Sequence, residues 1–183
     1  MKKFTVIIIW ITTLHLCAQT YQVDTISSQC TWRGYAEIGG FYQEGEISLK
    51  KGEVEVEDGI VVRGMMIFNM QSINTSDSRL LDHLKGPDFF HTKKYEEATF
   101  TMNRSPISSV DGFLKIRDKI HPQSFEGIWY ASDSLISISG TTVFDRTLYD
   151  IKYNSNRFFQ DLGSYAIKDT ISLQCELKLN LIR

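Results

Sequence analysis

Catalysis needs nucleophiles, bases or metal ligands gathered at one place, and the candidates in this 183-residue sequence are few. Its four histidines are His15, His83, His91 and His121. The last three are separated by eight and thirty residues. None forms the close pair that a zinc site normally uses, so neither a metal nor a cofactor is expected. His83 reads as a hydrogen-bonded structural residue. Cys30 and Cys175 both fall on the apolar phase of alternating segments, where a thiol is a poor nucleophile. Ser124 and Ser139 have no base nearby in sequence, and there is neither a G-x-S-x-G elbow nor a glycine-rich phosphate loop. No residue is assigned a catalytic role, and an enzyme is not expected. The most polar cluster is Asp145-Arg146 with Lys152 and Tyr153. Arg146 has the planar fork that matches an anionic headgroup. The plainer reading, a structural network in which Asp145 and Arg146 neutralise each other, is the one favoured.

The elements that must position these residues are almost all strands. Residues 29–38 place Cys30, Trp32, Gly34 and Ala36 on one face, and Gly39-Gly40 breaks the run. Two alternating segments follow, 46–50 and 53–57, separated by Lys51-Gly52. Asp58-Gly59 is a hairpin signal. Ile60 to Met70 carries Met66, Phe68 and Met70 on one face. Further alternation occurs at 98–102, 113–120, 124–130 and 135–144. It is clearest at 172–181, where Leu173, Cys175, Leu177, Leu179 and Leu181 alternate with polar residues. Period-two patterning gives each strand one wet and one dry face. The spacing of Leu80, Leu81 and Leu84 predicts one short helix over 76–86, capped by Ser76 or Asp77 and ended by Gly86-Pro87. A second helical turn is expected near 156–162. About eight antiparallel strands with one apolar face must stack as a sandwich or close as a barrel, and periodicity does not choose between them.

Composition narrows the class. Hydrophobic residues make up 42% and charged residues 23%, within the globular range. The formal charge of -2 gives no basic excess for nucleic acid. The start of the chain has its own character. Lys2-Lys3 precedes an apolar stretch from Phe4 to Leu16 that is too short for an ordinary membrane span, and Cys17-Ala18-Gln19 follows. This is the pattern of a secretory signal peptide over residues 1–18, cut after Ala18, with the domain occupying 19–183. A retained anchor and a lipoprotein site at Cys17 are weaker alternatives, because Leu16 is large where a lipidation site wants a small residue. Removing residues 1–18 takes away Lys2, Lys3 and no acid, which moves the formal charge to -4. The expected location is the periplasm or the exterior, as a monomer or homodimer.

The order of motifs carries a resemblance. Met66-Ile67-Phe68-Asn69-Met70-Gln71-Ser72-Ile73 is followed by the helix ending in His83-Leu84-Lys85, then Asp88-Phe89-Phe90, Tyr95 and Ala98-Thr99-Phe100. Phe144-Asp145-Arg146-Thr147, Ile151-Lys152-Tyr153 and Ile167-Lys168-Asp169-Thr170-Ile171 come later. From about Tyr21 to Ile182 the chain resembles the YceI-like family of exported, lipocalin-shaped proteins. The resemblance implies an all-β, eight-stranded antiparallel lipocalin-like barrel with one short helix. It also implies a long-chain lipid partner, such as a polyisoprenoid, held inside by a carrier or sequestering protein. The alternatives are an enzyme acting on such a lipid and a structural envelope protein without a cavity. Two positions depart from the family pattern: Glu96 stands where many relatives have proline, and Gln43 where many have histidine.

With that resemblance, Trp32, Met66, Phe68, Met70, Phe100, Met102, Phe125 and Trp129 are expected to line a cavity rather than fill a solid core. Phe89 and Phe90 mark either its mouth or an anchor for the helix. In a closed barrel the first and last strands pair, and Cys30 and Cys175 share the apolar phase. A disulfide between them is expected if the register is right; a one-residue slip would separate them.

Overall fold

The computed structural model describes residues 18–132 and 134–183. The segment read as a signal peptide lies outside the described residues except for Ala18. Eleven strands account for most of the chain: β1 (Gln19–Val23), β2 (Gln29–Ala36), β3 (Tyr42–Ile47), β4 (Leu49–Glu57), β5 (Ile60–Asn69), β6 (Glu97–Met102), β7 (Ser105–Pro106), β8 (Ser109–Ile116), β9 (Lys119–Ala131), β10 (Leu135–Asp145) and β11 (Ile167–Leu181). Among the described residues the single α-helix, α1, spans Ser78–Lys85.

The last strand shows why the sheet closes. Ile171, Leu173, Cys175 and Leu179 are buried, while Gln174, Glu176 and Lys178 between them, and Thr170 and Asn180 beside them, face solvent. Every strand with such a dry face must share it, and the antiparallel path β1-β4-β5-β6-β8-β9-β10-β11 returns to its start where Tyr21 pairs with Leu181. The strands β1 and β2 lie one after the other along β11, and β3 continues into β4 across Ser48 alone. Counted this way the fold is a closed eight-stranded antiparallel barrel, which leaves no long free edge.

Register places the β2–β3 hairpin, the β5–β6 connection, the β8–β9 turn and the β10–β11 connection at one end of the barrel, here called the upper end. The β5–β6 connection contains α1. Asp77 caps the helix by accepting from the Arg79 and Leu80 amides, and the Gly86 N–H closes it on the His83 carbonyl. The β10–β11 connection starts with a 3-10 turn at Arg146–Tyr149 and closes with another at Gly163–Tyr165.

Several local expectations need correction. The run 113–120 is two strands, because Arg117 adopts φ +57° and turns the chain into β9. The helical turn expected near 156–162 is a single turn, in which the Phe158 and Phe159 amides donate to the Ser155 carbonyl, and Asp161, at φ +59°, stops it from extending into a helix. Lys51-Gly52 does not interrupt β4. The break falls at Ser48, whose amide donates to the Ser72 hydroxyl. Gly52 serves close packing instead: a Cβ there would collide with Met66 and Val23.

Candidate functional site

Inward-facing side chains do not fill the barrel evenly. Beneath the upper connections lies a chamber of about 270 Å³. Its walls come from Trp32 on β2, Phe68 on β5, Ala98 on β6, Leu114 and Ile116 on β8, Phe144 on β10, and Ile171 and Leu173 on β11. Met70 and Ile73, just after β5, also border it. Its roof is the β5–β6 connection, which contributes Leu80, His83, Leu84, Phe89 and Phe90, with Tyr153 from the β10–β11 connection. At the mouth, Phe41 and Tyr42 line the chamber and are nevertheless 74% and 49% exposed. A second void of about 50 Å³ lies deeper, bounded by Met66, Phe100, Met102, Phe125 and Trp129.

The expected cavity residues therefore divide. Trp32, Phe68 and Met70 border the upper chamber, together with Phe89, Phe90 and Arg146. Met66, Phe100, Met102, Phe125 and Trp129 surround the small lower void, and among the described residues Phe68 is the one that touches both. Phe89 and Phe90 are buried and meet edge to face, centroids 5.0 Å apart, so they pack the roof rather than wave at its rim. The chamber also takes residues not singled out from sequence. Leu114, Phe144 and Leu173 were legible as inward-facing from alternation alone, but alternation says nothing about their height in the barrel.

Polar groups concentrate toward the mouth. Arg146 is almost wholly buried and donates four hydrogen bonds: to the carbonyls of Lys168, Ile151 and Ile167, at 3.1, 2.7 and 3.2 Å, and to Asp169 Oδ1 at 3.3 Å. A guanidinium has five N–H donors, so these bonds leave a single one over. Burial lowers its pKa, against the pull of Asp169 and Asp145. Arg146 thus ties the β10–β11 connection to β11. Asp145 helps by accepting from the Thr147 amide and hydroxyl and from Arg157. His83 differs from its expected role: its Nε2 is buried with no hydrogen-bond partner among the described residues, and its ring stands edge-on to Tyr153 at 4.0 Å. Lys168 reaches the mouth with its Nζ 5.8 Å from the Tyr35 ring centre. Among the described residues no three His, Cys, Asp or Glu side chains group as a metal site.

At the lower void, which Cys175 borders, Cys30 and Cys175 stand directly opposite one another on β2 and β11, their Cα atoms 4.1 Å apart and their sulfurs paired as a disulfide. Both are buried.

Residues 21–179 match the model of the YceI-like domain. The chain belongs to the YceI-like family. No curated protein sequence matches it. Solved structures match the barrel at low identity. Burkholderia cenocepacia BcnA is 18% identical with a TM-score of 0.68, over 85% of this chain and 98% of that one. A polyisoprenoid binding domain from Saccharophagus degradans, described as implicated in plant cell wall breakdown, is 11% identical with a TM-score of 0.64, over 90% and 99%. A Campylobacter jejuni YceI protein is 21% identical with a TM-score of 0.50, over 67% and 74%. At these identities the structural likeness concerns the fold. In this YceI-like barrel, Gln43 lies at the chamber mouth.

Proposed function

We propose that this YceI-like barrel binds an apolar lipid chain of the polyisoprenoid or similar long-chain type, with the chain in the upper chamber and any polar end at the mouth. The carrying observation is a chamber of about 270 Å³ whose inner walls are aliphatic and aromatic, with the exposed Gln43 and Lys168 beside Phe41 and Tyr42 at its opening. Such a chamber hides methylenes from water at about 0.8 kcal/mol each and needs no chemistry to do so. The polyisoprenoid-binding neighbour from Saccharophagus degradans supports this ligand class. The role is that of an exported carrier or sequestering protein rather than an enzyme. His83 fits a binding role, because a buried imidazole nitrogen without a protein partner gains from a ligand hydroxyl or carbonyl.

Native mass spectrometry of the purified protein, with analysis of its organic extract, tests the reading. A lipid retained at one per barrel is expected. Protein that carries none, and takes up none when offered isoprenoid alcohols, contradicts it. Export is tested separately: amino-terminal sequencing of envelope protein is expected to begin at Gln19, and full-length protein confined to the cytoplasm contradicts it.

A further inference from the structure

Resting on that reading, we infer that Phe68 is a floor that sets how much chain the barrel accepts, at about ten carbons or two isoprene units. Phe68 lines both voids and, among the described residues, is the only side chain that does. It is 4% exposed and lies opposite Leu49 on β4 and Ala98 on β6. Below it the barrel is plugged. Met66, Met102 and Phe100 lie over glycines of neighbouring strands: a Cβ at Gly64 would come within 2.8 Å of Met102 Sδ, one at Gly112 within 2.9 Å of the Phe100 ring, and one at Gly52 would collide with Met66. Phe125 packs on Phe100 with centroids 4.7 Å apart. What remains there is about 50 Å³, room for about two carbons.

Capacity follows from volume. A dry cavity of about 150 Å³ accommodates benzene, or about 25 Å³ per carbon. On that scale the 270 Å³ chamber seats about eleven carbons. The exposed polar lining residues, Gln43 and Lys168, lie at the mouth and the floor is apolar, so the chain's free end points down at Phe68. A longer lipid seats its terminal segment and leaves the rest outside, against the exposed Phe41 and Tyr42.

The test uses the full mature protein and a series of unbranched and isoprenoid alcohols: octanol, geraniol, farnesol and geranylgeraniol. Binding is followed by displacement of a fluorescent fatty-acid probe. Each fully buried methylene strengthens binding about four-fold. Affinity is expected to climb to geraniol and then to flatten, changing less than about ten-fold between geraniol and geranylgeraniol. In Phe68→Ala the two voids join and the climb is expected to continue to farnesol. Because removing a buried phenylalanine can unfold the protein, Ala98→Leu serves as the second variant. It narrows the chamber beside Phe68, and its plateau is expected to fall at octanol. A wild-type affinity that keeps climbing to geranylgeraniol overturns the floor, as does a break point that neither variant moves. If no alcohol of any length binds, the lipid-binding reading itself fails, which is a distinct outcome.

Discussion

The upper and lower halves of the barrel are lined by the same kind of residue and behave differently. Phe100 in the lower half is 2% exposed, and Phe68, Leu173 and Phe144 bordering the chamber are 4–7% exposed. Burial alone does not separate core from lining. The difference is what each side chain faces. Met66, Met102 and Phe100 face glycines across the sheet, so their bulk closes the space. Leu173 and Phe144 face a gap spanned by long connections that Arg146, Asp145 and the α1 cap hold in place. A wall that borders a void has no partner atoms on that side, so it gives up less when truncated. The lower half is therefore expected to carry stability and the upper half binding.

The largest effect should come from the disulfide in the lower half. The Cys30–Cys175 pair encloses a loop with a sequence separation of 145, for which the chain-entropy model gives about 5 kcal/mol, often less in practice. Unfolded, unreduced mature protein is expected to show no free thiol, and reduction is expected to lower the denaturant midpoint sharply; two free thiols contradict the bond. Next, Phe100→Ala in the packed half should cost about 3–5 kcal/mol in urea unfolding, while the folded fraction still binds farnesol within a few-fold of wild type. Leu173→Ala in the chamber should reverse that order. Its stability cost falls to about 2 kcal/mol, the low end for such truncations, whereas binding weakens on the order of ten-fold. Equal stability costs and unchanged binding in both variants would break the comparison.

The smallest effect concerns the roof. Burial pushes the Asp145 carboxyl upward, but the Thr147 hydroxyl and amide and Arg157 outweigh it and hold its pKa below the usual 3.8. The stabilisation is therefore present above the unfolded-state value and is lost as pH falls through the lower folded-state value. Asp145→Ala is expected to cost about 1 kcal/mol at neutral pH, as loss of a capping carboxylate does. The gap between variant and wild type should close in acid below the ordinary aspartate range. A gap that stays constant through and below that range contradicts the role given to the carboxylate.

Much of this architecture is written in period-two alternation and turn chemistry. Asp58-Gly59 marked its hairpin, and both residues do take positive φ. Asp77 and Gly86 bracketed the helix. What alternation cannot encode is height along the barrel. It put Met66 and Phe68 on the same dry face, yet one seals the lower half and the other borders the chamber. Nor does a sequence show which polar groups the backbone satisfies. Arg146 reads as the partner of Asp145 in a structural network, and the network is there with other partners: Arg146 bonds Asp169 and the carbonyls of Ile151, Ile167 and Lys168, while Asp145 pairs with Arg157. His83 looks structural until its Nε2 proves to lack a partner. Arg117 in a left-handed turn left no glycine or proline to announce it.

The most direct measurement of the central claim is a crystal structure of the mature protein saturated with farnesol. The account predicts ordered chain density in the upper chamber, running between Trp32, Phe90 and Leu173 with its free end against Phe68 and its hydroxyl end outside the mouth beside Phe41 and Tyr42, while the side chains below Phe68 keep their places. A chamber without chain density at saturating ligand, or a farnesol bound only on the outer surface of the barrel, would contradict it.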